Sequence, residues 1–101
     1  MENQHRKIGG YRELNKEEID MMNRAKMLEQ TVLNFISEQS VYLATHRENA
    51  KLSDDEAELK RFDAAEPGRW LAIGKTDIQT GFMAIVRSIA QPGPPKLADP
   101  R

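Results

Sequence analysis

Leu14-Asn15-Lys16-Glu17-Glu18-Ile19 reads as the start of a long helix. Asn15 is an N-cap side chain whose oxygen can accept from the free N–H three residues on. Glu18 stands at N3, where its carboxylate can reach back to the N-cap amide. Leu14 and Ile19 occupy the N′ and N4 positions of a hydrophobic staple. Glu17, Glu18 and Asp20 place negative charge at the positive end of the helix dipole. Downstream, Met21, Ala25, Leu28, Val32, Phe35, Gln39, Tyr42 and His46 recur at alternating four- and three-residue steps, and neither Gly nor Pro interrupts residues 16–50. This spacing predicts a helix over about 16–48, roughly 45–50 Å long at 1.5 Å per residue. Such a rod is too long for a compact globule of 101 residues. Part of its face is expected to pack on another chain.

Beyond it, Ser53-Asp54-Asp55-Glu56 reads as a second capping box opening a short helix over about 54–64. The alternative is a charged connector over residues 51–66 with little fixed structure; the capping pattern favours the helix. Glu66-Pro67-Gly68 breaks the chain. Trp70, Ile73, Asp77, Ile78, Phe82, Ile85, Val86 and Ile89 then return to helical spacing and predict a helix over about 68–90, with Pro67 near its first turn, where proline is tolerated. Gln91-Pro92-Gly93-Pro94-Pro95 ends that helix, and residues 91–101 are expected to be a disordered tail. The fold class is all-α: an antiparallel helical hairpin over 15–90, preceded by an N-terminal arm over 1–14. Leu33, Ile36, Leu43, Ile78 and Ile85 widen the apolar faces beyond one seam. Apolar surface gains about 25 cal/mol per Å² on burial, so a homo-oligomer is expected, with ligand sites between subunits.

Charge is almost balanced, 15 Lys+Arg against 16 Asp+Glu, which excludes the general basic field of a duplex-wrapping protein. An anion site must therefore be local. The chain has no cysteine, so disulfides and thiolate metal sites are excluded and a reducing cytosol is the expected setting. The apolar runs at 70–73 and 82–86 are too short to cross a bilayer, and residues 1–10 lack the apolar core of a signal peptide. A soluble intracellular protein is expected.

Two clusters carry candidate chemistry. In His5-Arg6-Lys7-Ile8-Gly9-Gly10-Tyr11-Arg12-Glu13-Leu14, a glycine pair that admits positive φ and close approach stands beside Tyr11 and Arg12, side chains suited to stacking on a base and pairing with a phosphate. Lys26 flanks the helical stripe in the next turns, and the returning arm could bring Tyr11 over the pocket that Lys26 faces. A flexible basic terminus and a solvated lysine are the plainer readings. The second cluster is Gly68-Arg69-Trp70 with Ile73-Gly74-Lys75-Thr76-Asp77. There Arg69 and Lys75 bracket a helix N-terminus that favours anions, and the Thr76 hydroxyl can donate to a phosphate. Gly-Lys-Thr lacks the upstream glycine and preceding strand of a P-loop. Gly74 and Gly81 could equally serve tight helix packing, and Trp70 reads as core or interface. His5 and His46 have no ligand-spaced partners, so no metal site is assigned. No nucleophile–base pair is present, no catalytic residue is assigned, and no cofactor is called for.

Those residues carry a resemblance. The arm, the segment Glu18-Ile19-Asp20-Met21-Met22-Asn23-Arg24-Ala25-Lys26 and residues 69–87 together resemble the anti-CBASS type-two cyclic-oligonucleotide sponges of phages, a family similar to anti-Thoeris sponges through a shared helical hairpin domain. The resemblance implies a homohexamer in the host cytoplasm that binds cyclic oligonucleotides without cleaving them. It implies that cyclic dinucleotides such as cyclic GMP–AMP lie between subunits, with Tyr11 stacking on a base and Lys26 on the phosphates; Arg12 is expected to bind the same ligand. Cyclic trinucleotides would take a separate pocket, using Arg69 and, more weakly, Thr76. Related anti-Thoeris sponges imply cyclic ADP-ribose isomers as an alternative ligand class.

The expected function is sequestration of a second messenger, so that no effector is activated. A small helical nucleic-acid regulator using the basic arm is the alternative, against which the balanced charge weighs; no nucleic-acid polymer and no membrane is expected as partner. A phosphodiesterase acting on the same ligands would need a general base or metal ligands that the sequence does not offer.

Overall fold

The computed structural model describes residues 12–93. These residues form three helices, α1 (Lys16–Leu52), α2 (Glu56–Ala65) and α3 (Pro67–Ala90), in a helical hairpin; no strand occurs among the described residues. The start of α1 follows the expected capping box. Asn15 Oδ1 accepts from Glu18 N at 2.8 Å, and Asn15 N donates to Glu18 Oε1 at 2.9 Å.

The joints are set by three non-glycine residues with positive φ: Asp54 (56°), Glu66 (50°) and Gln91 (48°). α1 runs to Leu52, past the expected end near 48, because it closes in a Schellman motif built on Asp54: Asp55 N donates to Ala50 O and Asp54 N to Lys51 O. Ser53 does not cap α2. Its hydroxyl donates back to Asn49 O at 2.8 Å, and Asp55 is the N-cap, accepting from Glu58 N at 3.2 Å. The second capping sequence was thus real but shifted by two residues, and α2 begins at Glu56 rather than 54. The charged-connector reading of 51–66 is overturned, since those residues belong to the end of α1, its cap and α2. Glu66 alone separates α2 from α3: its N–H donates to Asp63 O, and its carbonyl accepts from Arg69 N and Trp70 N. Pro67 has no N–H to extend the α2 cap, and it serves as the first residue of α3.

The chain divides into two compact units. Within the described residues, the first holds α1 through Leu28 and α3 from Gly81 onward; there the start of α1 lies beside the end of α3. The second is Glu29–Thr80, in which α2 is docked on α1 by side chains. Arg47 Nε and Nη2 donate to the two Asp63 oxygens at 2.8 Å each. His46 Nε2 lies 2.7 Å from Glu58 Oε2, which also accepts from Arg61 Nη2. Phe62 tilts against the His46 ring at 5.5 Å.

The inward row of α1 differs from the expected stripe. Met22, Ala25, Glu29, Val32, Ile36, Gln39, Leu43, His46 and Ala50 are buried or half-buried and also alternate in three- and four-residue steps. This row shares Ala25, Val32, Gln39 and His46 with the expected one. It leaves Met21, Leu28, Phe35 and Tyr42 exposed at 49%, 57%, 60% and 61%. Two apolar rows lie side by side on α1, and the described residues cover only one of them. Ala25 and Ala50 are the only buried apolar residues among those described, and neither is fully shielded from water.

Candidate functional site

Arg12 is held by both ends of the first unit. Its Nε donates to Ala90 O at 2.9 Å, and its Nη2 donates to Ile89 O at 3.0 Å and to Glu18 Oε2 at 2.7 Å. The last four carbonyls of a helix have no partner within it. In α3 all four find one: Arg87 O accepts from Gln91 N, Ser88 O from Gln91 Nε2, and Ile89 and Ala90 from Arg12. The guanidinium also sets positive charge against the negative end of the α3 dipole. Its hydrogen bond, followed by that of the Asn15 amide, holds the Glu18 carboxyl below the ordinary glutamate value, while burial pushes the other way.

Tyr11, with the rest of the arm over residues 1–11 including His5 and the Gly9-Gly10 pair, lies outside the described residues, as does the tail from residue 94 on. Lys26 is exposed on α1 in the first unit, and it has no hydrogen-bonding or ion-pair partner among the described residues.

In the second unit, Arg69 and Thr76 share one shallow depression on α3 of about 340 Å³, together with Ala72, Ile73 and Asp77. Seven residues are close to two helical turns, so the pair presents to one face. Arg69 lies 5.0 Å over the ring of Trp70 and 3.9 Å from Glu66 Oε1. Trp70 is 60% exposed, not core. Gly74, Lys75 and Thr76 lie inside α3 rather than at its N-terminus, so their amides belong to the helix ladder and only side chains remain for a ligand. A Cβ at Gly74 or Gly81 would meet nothing within 4 Å, so close packing within the chain does not require either glycine.

A larger cavity of about 440 Å³ lies in the same unit between α1 and α3, with Ile36, Leu43, Phe62 and Leu71 among its apolar walls and Arg47 and Lys75 at its edge. Nothing in the sequence announces it, since Arg47 and Phe62 belong to no motif. The Arg47–Asp63 link spans sixteen residues and becomes visible only once α2 folds back. Among the described residues no group of His, Asp or Glu could hold a metal ion, and no helix is long and apolar enough to cross a membrane.

The family model described as the Acb2/Tad1 hairpin domain matches residues 5–90. The chain is also 49% identical over 105 aligned residues to anti-CBASS protein 2 of Pseudomonas phage JBD67, an alignment covering 91% of this chain and 97% of that protein. Both matches span α1, α2 and α3, so hairpin and sequence agree along nearly the whole length. This chain belongs to the Acb2/Tad1 hairpin-domain family.

Proposed function

We propose that this chain is a phage anti-CBASS protein that acts as a sponge: a homohexamer that binds cyclic oligonucleotide second messengers in the host cytoplasm and releases them unaltered. The observation that carries this reading is the 49% identity, over nearly the full length of both chains, to a phage protein named for anti-CBASS action. Lys26 and Tyr11 take cyclic dinucleotides, by charge and by stacking. Arg69 and Thr76 take cyclic trinucleotides, and their common depression on α3 supports that pairing. The exposed row Met21, Leu28, Phe35 and Tyr42 supports assembly, since another copy would remove it from water. Cyclic ADP-ribose isomers are the second ligand class, favoured by the joint Acb2/Tad1 description of the family.

The experiment is a recovery assay. The protein is incubated with cyclic GMP–AMP, separated from free ligand and denatured, and the released nucleotide is quantified. A sponge returns intact ligand in proportion to its sites. Linear products would make the protein a phosphodiesterase, and no uptake of any cyclic nucleotide would remove the reading altogether.

A further inference from the structure

We propose that the cavity of about 440 Å³ in the second unit is a binding site for a small organic monoanion: an apolar or aromatic body among Ile36, Leu43, Phe62 and Leu71, with one carboxylate met by Lys75. This site is independent of the sequestration reading above.

Ligand pockets run from roughly 300 to 1,000 Å³ and are mostly apolar, with a few polar groups that fix orientation. The cavity has that size and that make-up. Two charged side chains line it, Arg47 and Lys75, and no carboxylate does among the described residues. Arg47 is already answered, since its Nε and Nη2 donate to the two Asp63 oxygens at 2.8 Å each. Lys75 has no hydrogen-bonding or ion-pair partner among the described residues. The lining therefore carries one uncompensated positive charge, which one negative charge satisfies. A second negative charge would be brought against apolar walls without a partner, and burial of that kind is unfavourable. A cyclic dinucleotide, with two phosphodiester charges, does not fit that balance.

Two hydroxyls add to the cation. Ser37 and Ser40 lie three residues apart on α1, neighbours on one helix face, and both line the cavity. Neither hydroxyl has a partner among the described residues, whereas Ser53 and Ser88 donate back to helix carbonyls. Two free hydroxyl donors and an ammonium suit a carboxylate, whose two oxygens only accept. The depression that holds Arg69 and Thr76 shares only Ala72 with this cavity, so Lys75 and Arg69, close in sequence, line different hollows of α3. Gly68 also lines the cavity, and a Cβ there would meet nothing within 4 Å, so the space beside it is open.

The probes are 2-naphthoate, a flat aromatic carboxylate ionised at neutral pH, and 2-naphthamide, its neutral counterpart of similar shape. NMR of the isoleucine and leucine methyl groups in the full chain reads their binding. 2-Naphthoate should shift Ile36, Leu43 and Leu71 saturably and leave the exposed Leu28 and Ile85 unmoved. The amide should bind about tenfold more weakly, the size expected from losing a charge-assisted hydrogen bond. Lys75→Met keeps the apolar stem and removes the charge, so it should bring acid and amide to the same affinity. Lys60→Met removes a charge outside the cavity and should change neither. Gly68→Leu should fill the open space and abolish uptake of both probes.

Equal affinity for acid and amide in the wild type, or an unchanged preference in Lys75→Met, overturns the proposal. Shifts at Leu28 and Ile85 as large as those in the cavity would mean adsorption to exposed apolar surface, and they overturn it too. Silence at all of these methyl groups does the same, with another copy of the chain as the occupant instead. Cyclic GMP–AMP should not displace 2-naphthoate; displacement would merge the cavity with the nucleotide site and overturn the monoanion reading.

Discussion

Asn15 and Glu18 each serve the other's backbone, so the start of α1 rests on two side chains. Asn15→Ala should cost about 1 kcal/mol, the usual loss for an N-cap, and lower the melting temperature followed by circular dichroism. The proposed ligand residues behave differently. Lys26 is exposed and without a described partner, so its removal should leave melting unchanged. Lys26→Ala and Tyr11→Ala should each weaken cyclic GMP–AMP binding by about ten- to a hundredfold, the range for a lost stacking contact or charge-assisted bond. Arg69→Ala should reduce cyclic trinucleotide uptake alone, since Arg69 lies in the other compact unit. Calorimetry on the three variants checks all of this, and unchanged affinity in Lys26→Ala and Tyr11→Ala would remove the first site.

At the scale of elements, α2 is the piece that side-chain charge holds in place. Glu58 accepts from Arg61 and lies against His46, and an ionised carboxylate can only accept, so His46 Nε2 carries the proton between them. Arg61 first, and His46 second, bring the Glu58 carboxyl from an ordinary 4.5 down to about 2. A value depressed in the folded chain means a contribution fully present above 4.5 and lost as pH falls through about 2. Arg61 lies in α2 itself, so only the His46 share of that change acts on docking to α1, which should hold from neutral pH to about 5 and weaken between about 4.5 and 2. Glu58→Gln should flatten part of that change. Asp63, held down by its hydrogen bonds from Arg47, acts in the same direction. Amide exchange within α2, measured across this range, reads it directly. A helix of ten residues is marginal alone in water, which is why this one depends on its links to α1.

For the whole molecule, the outward apolar row of α1 is the feature that calls for an explanation. Phe35 and Tyr42 are large side chains left about three-fifths exposed, and Met27, Val41 and Met83 are more exposed still. Water contact at that many apolar groups is unfavourable at roughly 25 cal/mol per Å², so copies of the chain should associate to cover them. Light scattering at micromolar concentration should report a mass above that of a dimer, with six copies expected. A monomer would sink the assembly and, with it, any pocket shared between subunits.

Helix existence, the start of α1 and both ends of α3 were legible because they depend on residues within about four positions of one another: Asn15 with Glu18, Pro67 at the first position of α3, Gln91 before Pro92. The cap of α2 was misplaced by two residues because Ser53 and Asp55 both offer the right oxygen. Only the folded chain decides which of them is needed to close α1 instead. Periodicity showed that α1 is amphipathic, yet it could not choose between two neighbouring rows of similar apolar content. That choice fell to tertiary packing, which turned Met22, Ile36 and Leu43 inward and left Met21, Phe35 and Tyr42 outside. The contacts of Arg12 with α3 were not legible, because those partners, 77 and 78 residues away, are backbone carbonyls that no pattern of side chains announces. Local hydrogen bonds and helical spacing are written in sequence order; which donor meets which distant carbonyl exists only once the chain has folded back on itself.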